Sequence, residues 1–226
     1  MSVHHQIINR PPPIIHHHAY CPSNSVCPNS NHSKPYPSLV YSECDQLRIK
    51  IHEVHLSYLS QDEAYHSSKL ALKDKIENLI TEYLSLIPHD QKFSFSEIKD
   101  CLNKTVKRPD FDPKKVISAF EAIDQYAINL LVSPWRPEWK SIHSFCGYFR
   151  RTIDSILVNY EKIFELLGFA YDKSTNIYKL IEIPIDPDKV SEISLECLVA
   201  IVECKIMANI YNLVKSKFPD ISWTDV

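Results

Sequence analysis

The sequence predicts an α+β fold, several helices gathered around a small antiparallel sheet. Three observations carry this. After residue 43, apolar side chains recur at three- and four-residue spacing over long stretches, the period of a helix face packed on a core. That period breaks at residues 139–144 (WKSIHS), which alternate apolar and polar side chains as a half-buried strand does. Two short apolar runs, residues 169–171 and 177–181, flank the polar stretch DKSTN in the manner of a β-hairpin.

The elements follow in order. Residues 1–43 are expected to be a disordered tail. Its first 38 residues hold six of the eleven histidines and seven of the fifteen prolines, with Ser and Asn between them. Such a composition buries too little apolar surface to offset the entropy of ordering. Residues 44–226 form the expected domain. Leu47, Ile51, Val54 and Tyr58 mark a first helix, and Leu72, Ile76, Leu79, Tyr83 and Ile87 a second, which Pro88 ends. A shorter helix is expected over residues 96–103. Asp112 then offers an N-cap with Pro113 at the first helical position. The helix it opens carries Val116, Phe120, Ile123, Ala127 and Leu130 on one face, and Pro134 stops it.

Beyond the strand at 139–144, residues 149–157 and 160–167 read as two short helices. The chain has only two glycines, Gly147 and Gly168. Each is expected where the backbone needs room or a positive φ, and Gly168 falls where a helix C-cap favours glycine. Asp186 and Pro187 open the last helix, with an expected core stripe of Leu195, Val199, Val202, Ile206, Ile210 and Leu213. There is no internal repeat and no sustained heptad.

Composition narrows the function. With 25 basic and 28 acidic residues and a net charge of −3, the chain has no general attraction to nucleic acid or to an anionic membrane. No apolar run approaches the roughly 20 residues of a membrane span, and the N-terminus lacks the pattern of a secretory signal. Seven cysteines without a regular framework fit reduced thiols in the cytoplasm, with the nucleus as a second compartment.

The candidate chemistry is sparse. Cys21, Cys27 and His32 lie among N-terminal histidines, but the gap is wide and no second ligand pair follows, so no metal site is expected. His143 and Cys146 are three apart on a strand leading into a turn, which aims them at opposite faces. Cys197 and Cys204 sit among Leu198, Ile201 and Met207, where a free cysteine acts as a small apolar group. Without a nucleophile–base–orienter set or a glycine-rich phosphate loop, neither an enzyme nor a cofactor is expected.

What remains is a basic and aromatic cluster. Arg136, Lys140, His143, Arg150 and Arg151 face one carboxylate, Glu138, across sixteen positions. Trp135, Trp139, Phe145, Tyr148 and Phe149 are interleaved. Aromatic and Arg side chains anchor protein interfaces, and a local positive field favours an acidic partner. The expected partner-binding set is Arg136, Trp139, Lys140, His143, Phe145, Cys146, Gly147, Tyr148 and Arg150. Within it Phe145 and Cys146 form the floor, the cations form the rim, and Gly147 lets a partner backbone approach. Trp135 and Phe149 are expected as structural supports.

The segment INLLVSPWRPEWKSIHSFCGYFRRTIDSIL resembles the PUB-domain family of spermatogenesis-associated protein 2 and Tamozhennic. The likeness lies in Asn129-Leu130, Pro134-Trp135, Lys140-Ser141-Ile142, Gly147 and Phe149. It continues through LLGFAY, Tyr178-Lys179-Leu180 and Val202-Glu203-Cys204, covering residues 120–217 most clearly. The helices before residue 103 fit the family's N-terminal extension by pattern.

This resemblance implies a non-enzymatic adaptor. Its partner would be the catalytic domain of a cylindromatosis-type deubiquitinase, with an indirect link to the linear-ubiquitin ligase complex, in NF-κB, tumour necrosis factor and cell-death signalling. Homodimerisation is left open by it. The insect branch implies an alternative, regulation of nuclear import of an NF-κB-type transcription factor. Two departures stand out. Many PUB domains carry Asn-Pro where this chain has Cys146-Gly147, which argues against ordinary peptide capture by that pocket. The vertebrate relative has Tyr-Thr-Gly at Phe145-Cys146-Gly147, so two hydroxyls are lost here, each worth about 1 kcal/mol as a hydrogen bond. The relative's long docking tail has no counterpart before Val226, so either the sequence is a fragment or the bridging role is missing.

Overall fold

A computed structural model describes residues 42–61 and 66–223. The tail at 1–41, with the cysteines and histidines considered above as metal ligands, lies outside the described residues, as do residues 62–65 and 224–226.

Helix α1 (Glu43–Ser60) starts on a capping box. The Ser42 hydroxyl accepts from the Asp45 amide at 3.2 Å, and the Asp45 carboxylate accepts from the Ser42 amide at 3.1 Å. Two donors that the first turn leaves unsatisfied are thereby paired. Helix α1 packs on α2 (His66–Leu86), burying Leu47, Ile51 and Val54 against Ile76, Leu79, Ile80 and Tyr83. Helix α3 (Ser96–Val106) runs three residues past its expected end, and Thr105 donates to the Cys101 carbonyl at 2.7 Å in that added turn.

Helices α4 (Pro113–Val132) and α7 (Pro187–Lys217) form the central pair. Both begin with the expected cap and proline. The Asp112 carboxylate accepts from the Lys114 amide, and that of Asp186 from the Asp188 and Lys189 amides. The whole expected stripe of α4 is buried.

Helix α7 departs from expectation in both directions. Between Val190 and Cys204 it is buried on nearly every face, Glu196 and Glu203 included, because α1, α2, α3 and α4 all pack around it. Further on, Ile210 and Leu213 are 47% and 68% exposed. Helical spacing gave these two a core position, but the chain that returns over that end covers the Tyr211 face, where Trp223 stacks at 4.1 Å, and leaves Ile210 and Leu213 outside.

The sheet is antiparallel with strand order β1-β3-β2, from β1 (Ser141–His143), β2 (Phe169–Asp172) and β3 (Ile177–Leu180). Its register pairs Ile142 and Tyr171 with Tyr178 from the two sides. Strand β1 is shorter than expected because Pro137 begins a 3₁₀ turn, Pro137–Lys140; proline fixes φ and brings no amide to a sheet ladder.

The expected helix at 149–157 is instead a short α-turn, α5 (Gly147–Phe149), running into a π turn, Arg150–Asp154. Its wide bond joins the Ser155 amide to the Arg150 carbonyl at 3.0 Å. Helix α6 (Glu161–Leu166) follows. Gly168 ends it at φ 89°, and a Cβ there would sit 2.8 Å from the Glu182 Cβ, so both the space and the backbone demand glycine. Under the sheet Phe149, Phe164 and Tyr178 pack with centroids 5.1–6.0 Å apart. Phe149 is a structural support, as expected.

Candidate functional site: an exposed aromatic face

Strand β1 sets the geometry. The pleat turns Ile142 inward and His143 outward. A tight turn follows, closed by the Cys146 amide donating to the His143 carbonyl at 3.1 Å. Its crest is pinned to the β2–β3 turn, where the Ser144 amide and hydroxyl both donate to the Asn176 carbonyl, at 3.2 and 2.7 Å. Asn176 takes φ 55° to present that carbonyl. Phe145 projects from this crest, 50% exposed, with its ring edge-on to His143 at 5.2 Å. Cys146 then caps the next turn, its Sγ accepting from the Phe149 amide at 3.4 Å.

Every residue of the expected set reaches solvent. Arg136, His143, Phe145, Gly147, Tyr148 and Arg150 are exposed, while Trp139, Lys140 and Cys146 are half-buried. Trp135 corrects the expectation. At 68% exposure it supports nothing in the core, because Pro134 has already ended α4 and carried the chain outward. Arg136 pairs with Glu138 at 3.4 Å, whereas no ion pair among the described residues involves Lys140, Arg150 or Arg151. Gly147 does not take a positive φ. The room it provides is occupied by the Arg151 guanidinium, whose Nη1 lies 3.0 Å from where a Cβ would be.

A groove of about 1010 Å³ opens on one side of Phe145. Of the expected residues only Phe145 and Arg150 border it. Its remaining lining comes from the π turn, α6 and the hairpin, and includes the exposed Tyr171 and Ile181 and the carboxylates of Asp154, Glu161, Glu165 and Glu182. The cationic rim read from the sequence therefore does not enclose this groove, which carries charges of both signs. Composition alone hid this, since Glu161 and Glu182 lie well outside the basic cluster in sequence.

The cysteines offer no activated thiol in the core. Burial pushes Cys101 and Cys204 up to about 12 and Cys197 well above its ordinary value, so all three stay protonated at neutral pH. One constellation has the residue types of a catalytic triad. The Ser194 hydroxyl donates to Asp124 at 2.5 Å and lies 3.1 Å from His55 Nε2. Here the serine's proton goes to the carboxylate rather than to the histidine. With His55 and Ser194 fully buried and Asp124 7% exposed, no substrate reaches it. Its role is to join α1, α4 and α7. No group of three or more His, Cys, Asp or Glu among the described residues is arranged to hold a metal ion, and no described helix is long and apolar enough to cross a membrane.

This arrangement defines a PUB-like α+β domain, with exposed aromatics carried on a short strand and turn. Residues 50–221 match the family model described as the spermatogenesis-associated protein 2, PUB-like domain, and the chain belongs to that family. It is 34% identical to protein tamozhennic of Drosophila melanogaster over 173 residues, which is 76% of this chain and 21% of that protein. It is 34% identical to spermatogenesis-associated protein 2 of Mus musculus over 101 residues, covering 44% of this chain and 19% of the relative. The matches thus span about a fifth of each relative's length.

Proposed function

We propose that the chain is a non-enzymatic adaptor module that binds a cylindromatosis-type deubiquitinase and modulates its cleavage of ubiquitin chains. The carrying observation is Phe145, a half-exposed aromatic fixed on a crest that two hydrogen bonds to Asn176 hold in place. Exposing a phenylalanine on a rigid turn forgoes burial energy, and interface anchors are built this way. Tyr148, 56% exposed, extends the aromatic surface, while Lys140 and Arg150 supply cations without ion-pair partners in the described fold. Family membership supports the adaptor class. The deubiquitinase, the link to NF-κB and tumour necrosis factor signalling, and the cytoplasmic and nuclear setting extend from it as parts of this reading.

The test is catalytic. Purified chain is added in increasing ratio to a deubiquitinase catalytic domain, and cleavage of a ubiquitin tetramer is timed. The reading predicts a rate change that levels off at stoichiometric addition, and no cleavage by the chain alone. A rate indifferent to the chain opposes it. The longer match to tamozhennic, 76% of the chain against 44%, favours nuclear-import regulation as the second reading. That reading predicts capture of transport factors without the deubiquitinase.

A further inference from the structure

We propose that the hollow between the start of α4 and the π turn is a binding site for a phosphoryl group. It is a shallow depression of about 250 Å³, open to solvent and lined by Lys114, Lys115, Ser118, Arg151, Thr152 and Ile156. At roughly 30 Å³ per water-sized group, this holds a five-atom phosphoryl group with a few waters. The lining comprises three cations, two hydroxyls and one apolar side chain, with no carboxylate. That composition suits a dianion that accepts hydrogen bonds all round.

Three features separate this hollow from ordinary surface lysines. The first is an excess of positive charge, which among the described residues only Asp110, near enough to Lys115 to feel it, partly offsets. No ion pair among the described residues uses Lys114, Lys115 or Arg151. The acidic neighbours in sequence are already committed, Asp110 to Arg108 at 2.6 Å and Asp112 to the Lys114 amide at 2.9 Å. Three cations brought together in a chain of net charge −3 repel one another until an anion joins them.

The second is the placement of Arg151. One of the two glycines in the chain, Gly147, leaves the space in which its guanidinium lies. An exposed guanidinium with no hydrogen-bond partner of its own in the described fold is free to take a phosphoryl group with two parallel hydrogen bonds. The third is the π turn itself. It packs against α4, and its consecutive residues Arg151 and Thr152 both line the hollow. Single π turns of this kind often accompany binding sites.

The site is distinct from the groove beside Phe145. The two hollows share no lining residue, so this proposal does not depend on the deubiquitinase reading. The ligand chemistry is a phosphate monoester or inorganic phosphate, and the assay separates the two.

The full chain, labelled with nitrogen-15, is titrated with inorganic phosphate and then with an acetylated phosphoserine tripeptide, against sodium chloride at matched ionic strength. The expected result is saturable shifts in the amides of Lys115, Ser118 and Thr152, absent in chloride. Arg151→Gln should weaken binding about fivefold, and Lys114→Gln with Lys115→Gln roughly 25-fold, from about fivefold per cation facing an anion across water. Tighter binding of the tripeptide assigns the phosphoryl group to a phosphorylated protein segment, and equal binding assigns it to the free anion. Shifts that fail to saturate, or that persist unchanged in both cation variants while spectral dispersion is intact, mean an adventitious ion only and overturn the site.

Discussion

Asp124 and His55 are buried on either side of Ser194 and should pull the pH dependence of stability in opposite directions. Burial raises the Asp124 carboxyl from 3.8 to about 7, with the Ser194 hydrogen bond opposing that rise. Burial also lowers His55 from 6.5 to about 3, helped by His52 and Arg48. Between these limits the folded chain holds a proton on Asp124 that the unfolded chain has released. Its contribution is therefore full below the unfolded value and is lost as pH rises toward 7. For His55 the unfolded chain holds the proton and the folded chain does not, so its contribution is lost as pH falls below 6.5. Each group acting alone gives a slope of about 1.4 kcal/mol per pH unit, or about 3 kcal/mol between pH 4.5 and 6.5. The signs are opposite, so in the native protein the two nearly cancel.

Substitution should unmask each slope. Urea unfolding followed by tryptophan fluorescence gives the stability of the native chain, Asp124→Asn and His55→Gln across this range. Subtracting variant from native removes the titrations they share. Native minus Asp124→Asn should fall by roughly 3 kcal/mol from pH 4.5 to 6.5, and native minus His55→Gln should rise by a similar amount. Parallel curves for the native chain and Asp124→Asn would mean that Asp124 titrates alike in both states, and would refute the reasoning.

Three further outcomes follow from packing. Gly168→Ala should cost about 2 kcal/mol or more in urea midpoint analysis, combining a left-handed backbone with the close approach to Glu182; a loss under about 0.5 kcal/mol contradicts it. Leu213→Ser should change stability by less than about 0.5 kcal/mol, whereas Leu195→Ala on the same helix, at full burial, should cost about 2–5 kcal/mol. In a chain lacking Cys21 and Cys27 through serine substitution, a thiol reagent should label Cys44 and Cys146 before unfolding. Cys101, Cys197 and Cys204, buried in the fold, should react only after it.

What could be read from the sequence was local. The caps at Asp112 and Asp186, the C-cap at Gly168 and the hairpin around DKSTN each depend on chemistry within a few residues, and each is found where that chemistry puts it. Helical spacing likewise identified the α4 stripe. Spacing says which face is apolar, however, and not whether another element covers it, which is why Ile210 and Leu213 were misplaced. The buried charges were equally illegible. Glu196 is buried because Arg48, 148 positions away, pairs with it, and Glu203 because Lys92 reaches it at 2.7 Å.

At the site the division is the same. Aromatic spacing with β1 as a strand identified Phe145 and Tyr148 as candidates for an exposed face. The groove beside Phe145 depends on α6 and β2–β3 coming together beside the crest, an arrangement of elements far apart in sequence rather than of any nearby motif. Trp135 is not a support because Pro134 turns the chain to solvent there, which its residue type does not reveal.

The adaptor reading rests on the Phe145 crest, and one titration addresses it most directly. Isothermal calorimetry would measure the full chain against the catalytic domain of a cylindromatosis-type deubiquitinase, alongside Phe145→Ala. With Phe145 half exposed and pinned outside the core, the variant should keep the native circular dichroism and melting curve. The account predicts saturable binding by the native chain, weakened by at least about 2 kcal/mol, or some 30-fold, on loss of the anchor. Equal binding by the two proteins would contradict the assignment of the surface, and no binding by the native chain would contradict the choice of partner.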